Sequence, residues 1–171
     1  MVGCGYRARS TWSFDRINRR VMSDRIKTET DQILMLERAA LDRWGKGDPG
    51  GFLDLYATEI SYFDPLTATR IEGHQAMVDY YRPFIGKIQI PRYEMLHPHV
   101  VRDGNMALLT YNLVNYITDA NGIESVGTRW NSTTVYQRRG DTWKAIHSHW
   151  SFTRHPAFQN MSPEESEGLE T

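Results

Sequence analysis

The apolar and polar positions in the first part of the chain repeat at the spacing of α-helices. Four apolar residues mark one helix face between positions 31 and 44: Ile33, Leu36, Ala40 and Trp44. This pattern predicts an amphipathic helix over 31–44, which ends at the glycines in positions 45 and 47. A second, short helix is predicted over 49–56, because Asp48 can cap it and Pro49 suits the first turn of a helix.

Shorter elements are predicted to follow these helices. Residues 59–63 have the alternation of a strand, the pair Asp64-Pro65 favours a turn, and residues 67–71 can pair back on the first strand. A third helix is predicted over His74–Tyr81, where apolar and aromatic side chains again fall on one side.

Four longer β-strands are predicted in the second half of the chain, where β-branched and aromatic residues are frequent. Their approximate bounds are 89–101, Met106–Thr118, 124–137 and 142–153. The last two strands form a hairpin around an Arg-Arg-Gly-Asp turn. Period-two alternation places Trp130 and Thr134 on one face of its first arm, and Ser148 and Trp150 on one face of its second arm.

This order of elements, α-α-β-β-α-β-β-β-β, predicts an α+β domain over residues 28–156. A curved, cone-shaped sheet packed on three helices would leave a conical pocket between sheet and helices. Residues 1–27 carry seven basic and two acidic residues, and we expect them to form a loose basic extension with Met22 as an alternative start; a transit peptide is the other interpretation. Residues 157–171 are predicted to be an acidic, disordered tail.

The composition excludes several classes of function. A net charge of −1 gives no indication of a nucleic-acid or membrane-surface partner, and no apolar run is long enough for a membrane span. Cys4 is the only cysteine, so neither an intrachain disulfide nor a multi-thiolate zinc site can form, and we expect a reducing, cytoplasmic location. No phosphate-binding glycine loop or nucleophile elbow is present, so we expect no nucleotide cofactor.

Several segments together resemble a known family. These segments are GDPGGFLDLYATEISYFDP, RIEGHQAMVDYY, LHPHVVRDGN, YITDANG and YQRRGDTWKAIHSHWSF. They resemble the association (hub) domain of calcium/calmodulin-dependent protein kinase II and the wider nuclear-transport-factor-two-like superfamily, which includes SnoaL-like and ketosteroid-isomerase-like proteins. The resemblance covers roughly residues 30–155. It implies a cone-shaped α+β fold, a pocket between helices and sheet, and assembly at least as a dimer through the sheet.

The chain departs from this family at the arginines that point into the hub pocket and can bind carboxylates. One of these positions falls on Asn112, Leu113 or Val114, depending on a gap, and the other two fall on Thr134 and Trp150. We therefore expect a largely neutral, aromatic pocket for a small neutral or aromatic ligand. Its predicted lining is Tyr56, Met77, Tyr81, Asn112, Trp130, Thr134, Ser148 and Trp150.

Asp64 is the candidate catalytic residue. In ketosteroid isomerases, an aspartate in an enclosed pocket is the general base, and general-base catalysis requires a carboxylate within hydrogen-bond reach of the proton that it removes. The alternative is structural, since aspartate before proline commonly bonds its own turn amides. A carboxylate buried in the pocket favours catalysis, whereas one bound to turn amides does not.

Paired histidines and one arginine suggest further binding sites. His147 with His149, and His97 with His99, have the spacing of a metal-binding pair on a strand, but a third ligand of fixed spacing is missing, so we predict no metal site. The hairpin alternation places the first pair on the side away from the pocket. Arg129 is predicted to form an interface ion pair, with Glu94 or Glu124 as candidates.

Two hypotheses about function remain open at this point. One is a free-standing, homo-oligomeric association domain with a small-molecule pocket, and it is the one we favour from the sequence. The other is a small isomerase, cyclase or dehydratase that uses Asp64 or a pocket tyrosine as its acid–base group. The environment of Asp64 distinguishes them.

Overall fold

The computed structural model describes residues 11–153, with side chains from residue 28 onward and that of Met22. The helices are α1 (Thr11–Trp44), α2 (Gly50–Leu55) and α3 (His74–Tyr81), and a 3-10 turn follows over Arg82–Phe84. The strands are β1 (Tyr56–Phe63), β2 (Ile71–Glu72), β3 (Arg92–Asp103), β4 (Met106–Thr118), β5 (Glu124–Arg139) and β6 (Thr142–Phe152).

The predicted α+β class and the predicted order of elements are confirmed. Helix α1 begins twenty residues earlier than expected, at Thr11, because no glycine or proline interrupts residues 6–44. Residues 11–27, predicted to be part of a loose extension, are thus helical. The remaining residues of that predicted extension, 1–10, and the predicted acidic tail lie outside the described residues.

The six strands form one sheet in the order β2-β1-β6-β5-β4-β3. All neighbours are antiparallel except β1 and β6, which are parallel. Bulges interrupt the register of every long pair, and bulges increase the bending and twist of a strand. One bulge lies opposite Asn115 and Tyr116, at Gly127, where an added Cβ would lie 2.8 Å from the Cγ2 atom of Ile117. The sheet therefore curves around the helices, as the predicted cone requires.

The concave face of the sheet packs on all three helices and forms the core. Ile33 and Leu41 of α1, Phe52 of α2, and Met77 of α3 are buried there against Leu109 of β4. Burying side chains of this size removes most of their apolar surface from water, which is the main stabilising contribution to such a fold.

The connection between α3 and β3 differs from the prediction. Strand β3 begins at Arg92 rather than at 89, because the Ile90 amide donates to the carbonyl of Gly45 in the α1–α2 turn and Pro91 has no amide proton. The two segments approach so closely that a Cβ on Gly45 would lie 2.9 Å from the Ile90 carbonyl oxygen. A loop over 85–91 is thereby held beside the open end of the cone.

Candidate functional site

A cavity of about 360 Å³ opens between the helices and the concave face of the sheet. Helices α1 to α3, the 85–91 loop and strands β1, β4, β5 and β6 all contribute to its walls. Its lining residues are Leu41, Trp44, Phe52, Tyr62, Asp64, Leu66, Tyr81, Phe84, Lys87, Ile88, Gln89, Ile90, Tyr93, Leu113, Asn115, Ile117, Gly127, Thr128, Trp130 and Trp150. Its volume lies in the range of small-molecule sites in proteins.

Aromatic rings form a nearly continuous wall in this cavity. The centroids of Trp130 and Trp150 are 6.3 Å apart, and Trp150 meets Phe52 edge-on at 6.2 Å. On the helical side, Trp44 lies 5.9 Å from Phe52 and 5.1 Å from Tyr81. Edge-to-face contacts at these distances stabilise each ring in a fixed orientation and leave other ring surfaces facing the cavity.

Three of the eight predicted pocket residues line this cavity, namely Tyr81, Trp130 and Trp150. Four others lie in the core behind the wall, each at most 3% exposed: Tyr56, Met77, Thr134 and Ser148. Their contacts support the lining residues. The hydroxyl oxygens of Tyr56 and Tyr81 are 3.0 Å apart, and the Trp150 indole N–H donates to the Ser148 hydroxyl over 3.1 Å.

Asn112 lies on the opposite, convex face of the sheet. Its amide nitrogen donates to the Asn131 side-chain oxygen over 2.8 Å on the neighbouring strand. Leu113 and Asn115, one and three positions further on, face the cavity instead. Since successive side chains of a strand alternate between faces, a shift of one residue in the assignment moves a side chain from the cavity to the outside.

Asp64 lies at the end of β1 and borders the cavity, with its side chain half-buried. Tyr62 donates a hydrogen bond to its carboxylate over 2.9 Å, and Tyr80 donates over 2.8 Å to one oxygen and 2.9 Å to the other. The Leu66 amide also donates, over 2.8 Å, as in an Asx turn. Asp64 thus combines the two predicted environments, because it binds a turn amide and also faces the aromatic cavity.

The tyrosines around Asp64 are neutral hydrogen-bond donors. Burial, together with the charge of Asp64, raises the pKa of Tyr62 and of Tyr80 well above the usual value for tyrosine. Both hydroxyls therefore keep their protons at physiological pH and orient the carboxylate without neutralising its charge.

Asn115 places a polar group in the apolar part of the cavity. The residue is 8% exposed, and its side-chain nitrogen donates to the Thr128 hydroxyl over 3.1 Å. Its side-chain oxygen is buried without a hydrogen-bond partner. A buried acceptor without a partner costs about 1–3 kcal/mol.

A second buried carboxylate, Glu37 of α1, lies in the core and was not predicted from the sequence. Tyr111 donates to one of its oxygens over 2.7 Å, and Tyr136 donates to the other. Glu37 lies four residues from both Ile33 and Leu41, so its position on the apolar stripe of α1 was the available signal. It does not line the cavity.

The paired histidines lie away from the cavity. Phe63 packs against the rings of both His147 and His149, and the Ser61 hydroxyl bonds the His147 ring nitrogen over 2.8 Å. Burial and the neighbouring His149 lower the pKa of His147, so its ring is neutral at neutral pH. Among the side chains that the structure describes, no group of three or more His, Cys, Asp or Glu residues could hold a metal ion.

Two other expectations concern the surface of the protein. Within the chain, Glu94 and Glu124 both form ion pairs with Arg92 of β3, at the edge of the sheet. The ion pair of Arg129 at an interface stays a prediction. In the part of the chain that the structure describes, no helix has the length and apolar character needed to cross a bilayer.

Comparison with known proteins identifies relatives of this fold. The family model for the calcium/calmodulin dependent protein kinase II association domain matches residues 29–154. A "putative ketosteroid isomerase" from Parabacteroides distasonis ATCC 8503 is 35% identical, with 71% of this chain and 86% of that chain covered and a TM-score of 0.61. No curated protein matches the chain.

Two more distant structures agree in fold alone. The association domain of C. elegans CaMKII is 21% identical, with 73% of this chain and 96% of that chain covered and a TM-score of 0.63. An NTF2-like protein of unknown function from Pseudomonas putida KT2440 is 24% identical, with coverage of 76% and 98% and a TM-score of 0.62. The fold is therefore NTF2-like, as the resemblance implied.

Proposed function

The chain belongs to the calcium/calmodulin dependent protein kinase II association domain family, and we propose that it acts as a self-associating domain with a small-molecule site in its aromatic cavity. The observation that carries this proposal is the cavity itself, whose wall is aromatic and whose rim holds a half-buried carboxylate. The matched residues include every strand and every element that lines the cavity.

Self-association is proposed to occur through the convex face of the sheet. Register places one row of side chains across its centre: His99, Thr110, Thr133 and His149. A parallel row holds exposed Val101 and Leu108 beside Val135. Exposed Glu94 and Arg129 lie on the same face, nearer one end of the strands. The uncharged polar and apolar side chains of the two central rows suit an isologous contact between two copies, because identical patches then meet without like-charge repulsion.

The cavity supports a ligand of modest size. Its volume of about 360 Å³ is near the lower end for small-molecule sites, and most of its lining is apolar. The arginines that hold carboxylates in the kinase hub pocket have no counterpart here, since Thr134 and Trp150 stand at two of those positions and the third falls in Asn112–Val114, a stretch without arginine. A largely apolar molecule with one ring system therefore fits this site best.

Native mass spectrometry of protein purified gently from its host tests both parts of this proposal. The expected result is a dimer or a multiple of it that carries a small molecule released on denaturation. Ile88→Trp, on the loop that borders the cavity, should reduce ligand occupancy, whereas Ile123→Trp in the exposed β4–β5 turn should not. A bare monomer that no aromatic compound stabilises against heat overturns the proposal.

An acid–base enzyme of the isomerase or dehydratase type is the second candidate. The observation that favours it is Asp64, whose carboxylate borders the cavity with two tyrosine hydroxyls bound to it. The related Parabacteroides distasonis protein, named a "putative ketosteroid isomerase", points the same way. This candidate ranks second because the carboxylate also binds the turn amide of Leu66, which is the structural role expected of an aspartate before proline.

The enzyme candidate is tested with a β,γ-unsaturated cyclic ketone, whose double bond moves into conjugation and raises ultraviolet absorbance. Turnover that is lost in Asp64→Asn, with Glu59→Gln as an exposed acidic control, supports this candidate. A rate in the wild-type protein equal to that in buffer excludes isomerisation of such ketones.

A further inference from the structure

The charge of Asp64 has no counterion among the described residues. No arginine, lysine or histidine side chain of residues 28–153 forms an ion pair with it, and its partners are two neutral tyrosine hydroxyls and one backbone amide. A carboxylate oriented by neutral donors has no positively charged group beside it to offset its charge. In a half-buried aromatic setting that charge is screened less than it would be in bulk water.

The Asn115 side chain adds no second acceptor for a ligand, because its oxygen is buried with almost no accessible surface. Its nitrogen is used by Thr128. The Asp64 carboxylate, which borders the cavity, is therefore the charged acceptor that a ligand meets.

The indole N–H groups of the two tryptophans on the sheet side of the wall are already used within the protein. The Trp130 indole N–H donates to the Thr128 hydroxyl over 2.8 Å, and the Trp150 indole N–H donates to Ser148 over 3.1 Å. With their N–H groups turned into the protein, these residues offer ring surfaces to a ligand. The negative face of an aromatic ring attracts a cation within about 6 Å of its centroid.

Lys87 is the charged lining residue that opposes this arrangement. It belongs to the loop over 85–91 and is exposed, and no ion pair joins it to Asp64 among the described residues. An exposed lysine ammonium on its flexible stem is strongly hydrated, which weakens its effect on a charge in the cavity. Reversing the charge of Lys87 should therefore strengthen the binding of a cation in the cavity.

We infer that the ligand of the aromatic cavity is an organic amine, with its ammonium group between Asp64 and the aromatic rings and with its apolar body along the wall. The carboxylate without a counterion and the ring faces together select a cationic donor over a neutral or anionic group. This inference rests on the proposed small-molecule function and names its ligand class.

Three probes of matched shape separate charge from size: 3-phenylpropylamine, 3-phenylpropan-1-ol and 3-phenylpropanoate. Binding is measured by tryptophan fluorescence, since Trp44, Trp130 and Trp150 line the cavity and the probes do not absorb at the excitation wavelength. The amine should bind about tenfold more tightly than the alcohol, because a cation–π contact and a partly buried ion pair together supply that factor. The anionic probe, 3-phenylpropanoate, should bind most weakly.

Asp64→Asn keeps an acceptor for the Leu66 amide and removes the charge. It should weaken amine binding about tenfold, consistent with the loss of the ion pair, while the alcohol changes by less than about twofold. Lys87→Glu lies on an exposed loop and provides a second variant that should fold normally. It should tighten amine binding and weaken carboxylate binding.

The outcomes separate this inference from the proposed function. If the alcohol or the carboxylate binds as tightly as the amine, the cavity is a ligand site and the inference is overturned. If the preference for the amine survives in Asp64→Asn, the assigned ion pair is wrong. If none of the three probes binds, both the inference and the proposed small-molecule site fail.

Discussion

Tyr111 of β4 donates a hydrogen bond to Glu37 of α1 over 2.7 Å, and both side chains are at most 4% exposed. Tyr136 of β5 donates to the other carboxylate oxygen. This arrangement joins the longest helix to two central strands through one acid in the core. No cation compensates its charge among the described residues, so the protonation state of Glu37 is coupled to the stability of the fold.

Stability should fall with rising pH because of Glu37. Burial raises its pKa above the usual 4.5, and the hydroxyls of Tyr111 and Tyr136 offset only part of that shift. The folded state therefore binds its proton more tightly than the unfolded state does. The contribution is fully present below pH 4.5 and is lost as pH rises through the pKa of the folded state, by up to about 1.4 kcal/mol per pH unit.

Glu37→Gln removes this proton and keeps a group that can bond both tyrosines. Its free energy of unfolding in urea should increase relative to wild type between pH 5 and pH 8. Glu59→Gln is the control, because Glu59 is exposed and its pKa is lowered by a backbone hydrogen bond and by Arg139. A stability difference between wild type and Glu37→Gln that does not change with pH would contradict the prediction that the raised pKa of Glu37 makes stability fall as pH rises.

Trp150 should be the lining residue on which stability depends most. It is 8% exposed and meets Phe52, Tyr111 and Trp130 edge-on. Trp150→Ala should lower the free energy of unfolding by about 3–5 kcal/mol, as for other large aromatic residues in cores. Phe152→Ala, two residues further along the strand and half-buried, should cost less than half of that in the same denaturant titration. Equal losses of unfolding free energy in the two variants would show that Trp150, in the cavity wall, is not better packed than Phe152.

The sequence allowed the fold to be predicted because its signals are local. The spacing of Ile33 and Ala40 marks a helix face, and the period-two alternation of β6 put Ser148 and Trp150 on one face of the strand. The family resemblance then assigned Trp150 to the pocket. The cavity wall was therefore partly predictable. Each of these signals depends on residues within a few positions of one another along the chain.

The other parts of the site depend on contacts between distant segments. Glu37 interrupts an apolar stripe, and its partner Tyr111 lies 74 residues away. Asn112 was expected in the pocket because the length of one gap was not fixed, and one residue of register moves it to the convex face. The 85–91 loop borders the cavity only because Ile90 bonds to Gly45, a pairing that no local pattern indicates.

Thr133→Arg should convert the proposed dimer into a monomer. Thr133 lies in the central row of the convex face, between Thr110 and His149. An arginine there would place two like charges near the two-fold axis of an isologous contact. Both the charge repulsion and the steric overlap of the larger side chains would disfavour the dimer. Light scattering at micromolar concentration measures the change in mass.

Asn121→Arg adds the same charge in the exposed β4–β5 turn and should leave the mass unchanged. Circular dichroism should show that both variants retain the fold, since neither position lies in the core. A wild-type protein that is already monomeric at this concentration, or a Thr133→Arg protein that remains dimeric, would count against association through the convex face.

Glu29 should be the first residue of α1, counted from its N-terminal end, whose side chain contributes strongly to the stability of the domain. It is 5% exposed and forms ion pairs with Arg102 of β3 and Arg138 of β5. Glu29→Ala leaves two partly buried guanidinium groups without this carboxylate, and removal of one partner from a buried ion pair costs about 3–5 kcal/mol.

Deletion of residues 1–21 keeps Glu29 and all described core side chains, so the melting temperature should change little. A large drop on deletion would mean that residues before Met22 contribute to stability, whereas a small effect of Glu29→Ala would show that the helix is held mainly by its apolar face.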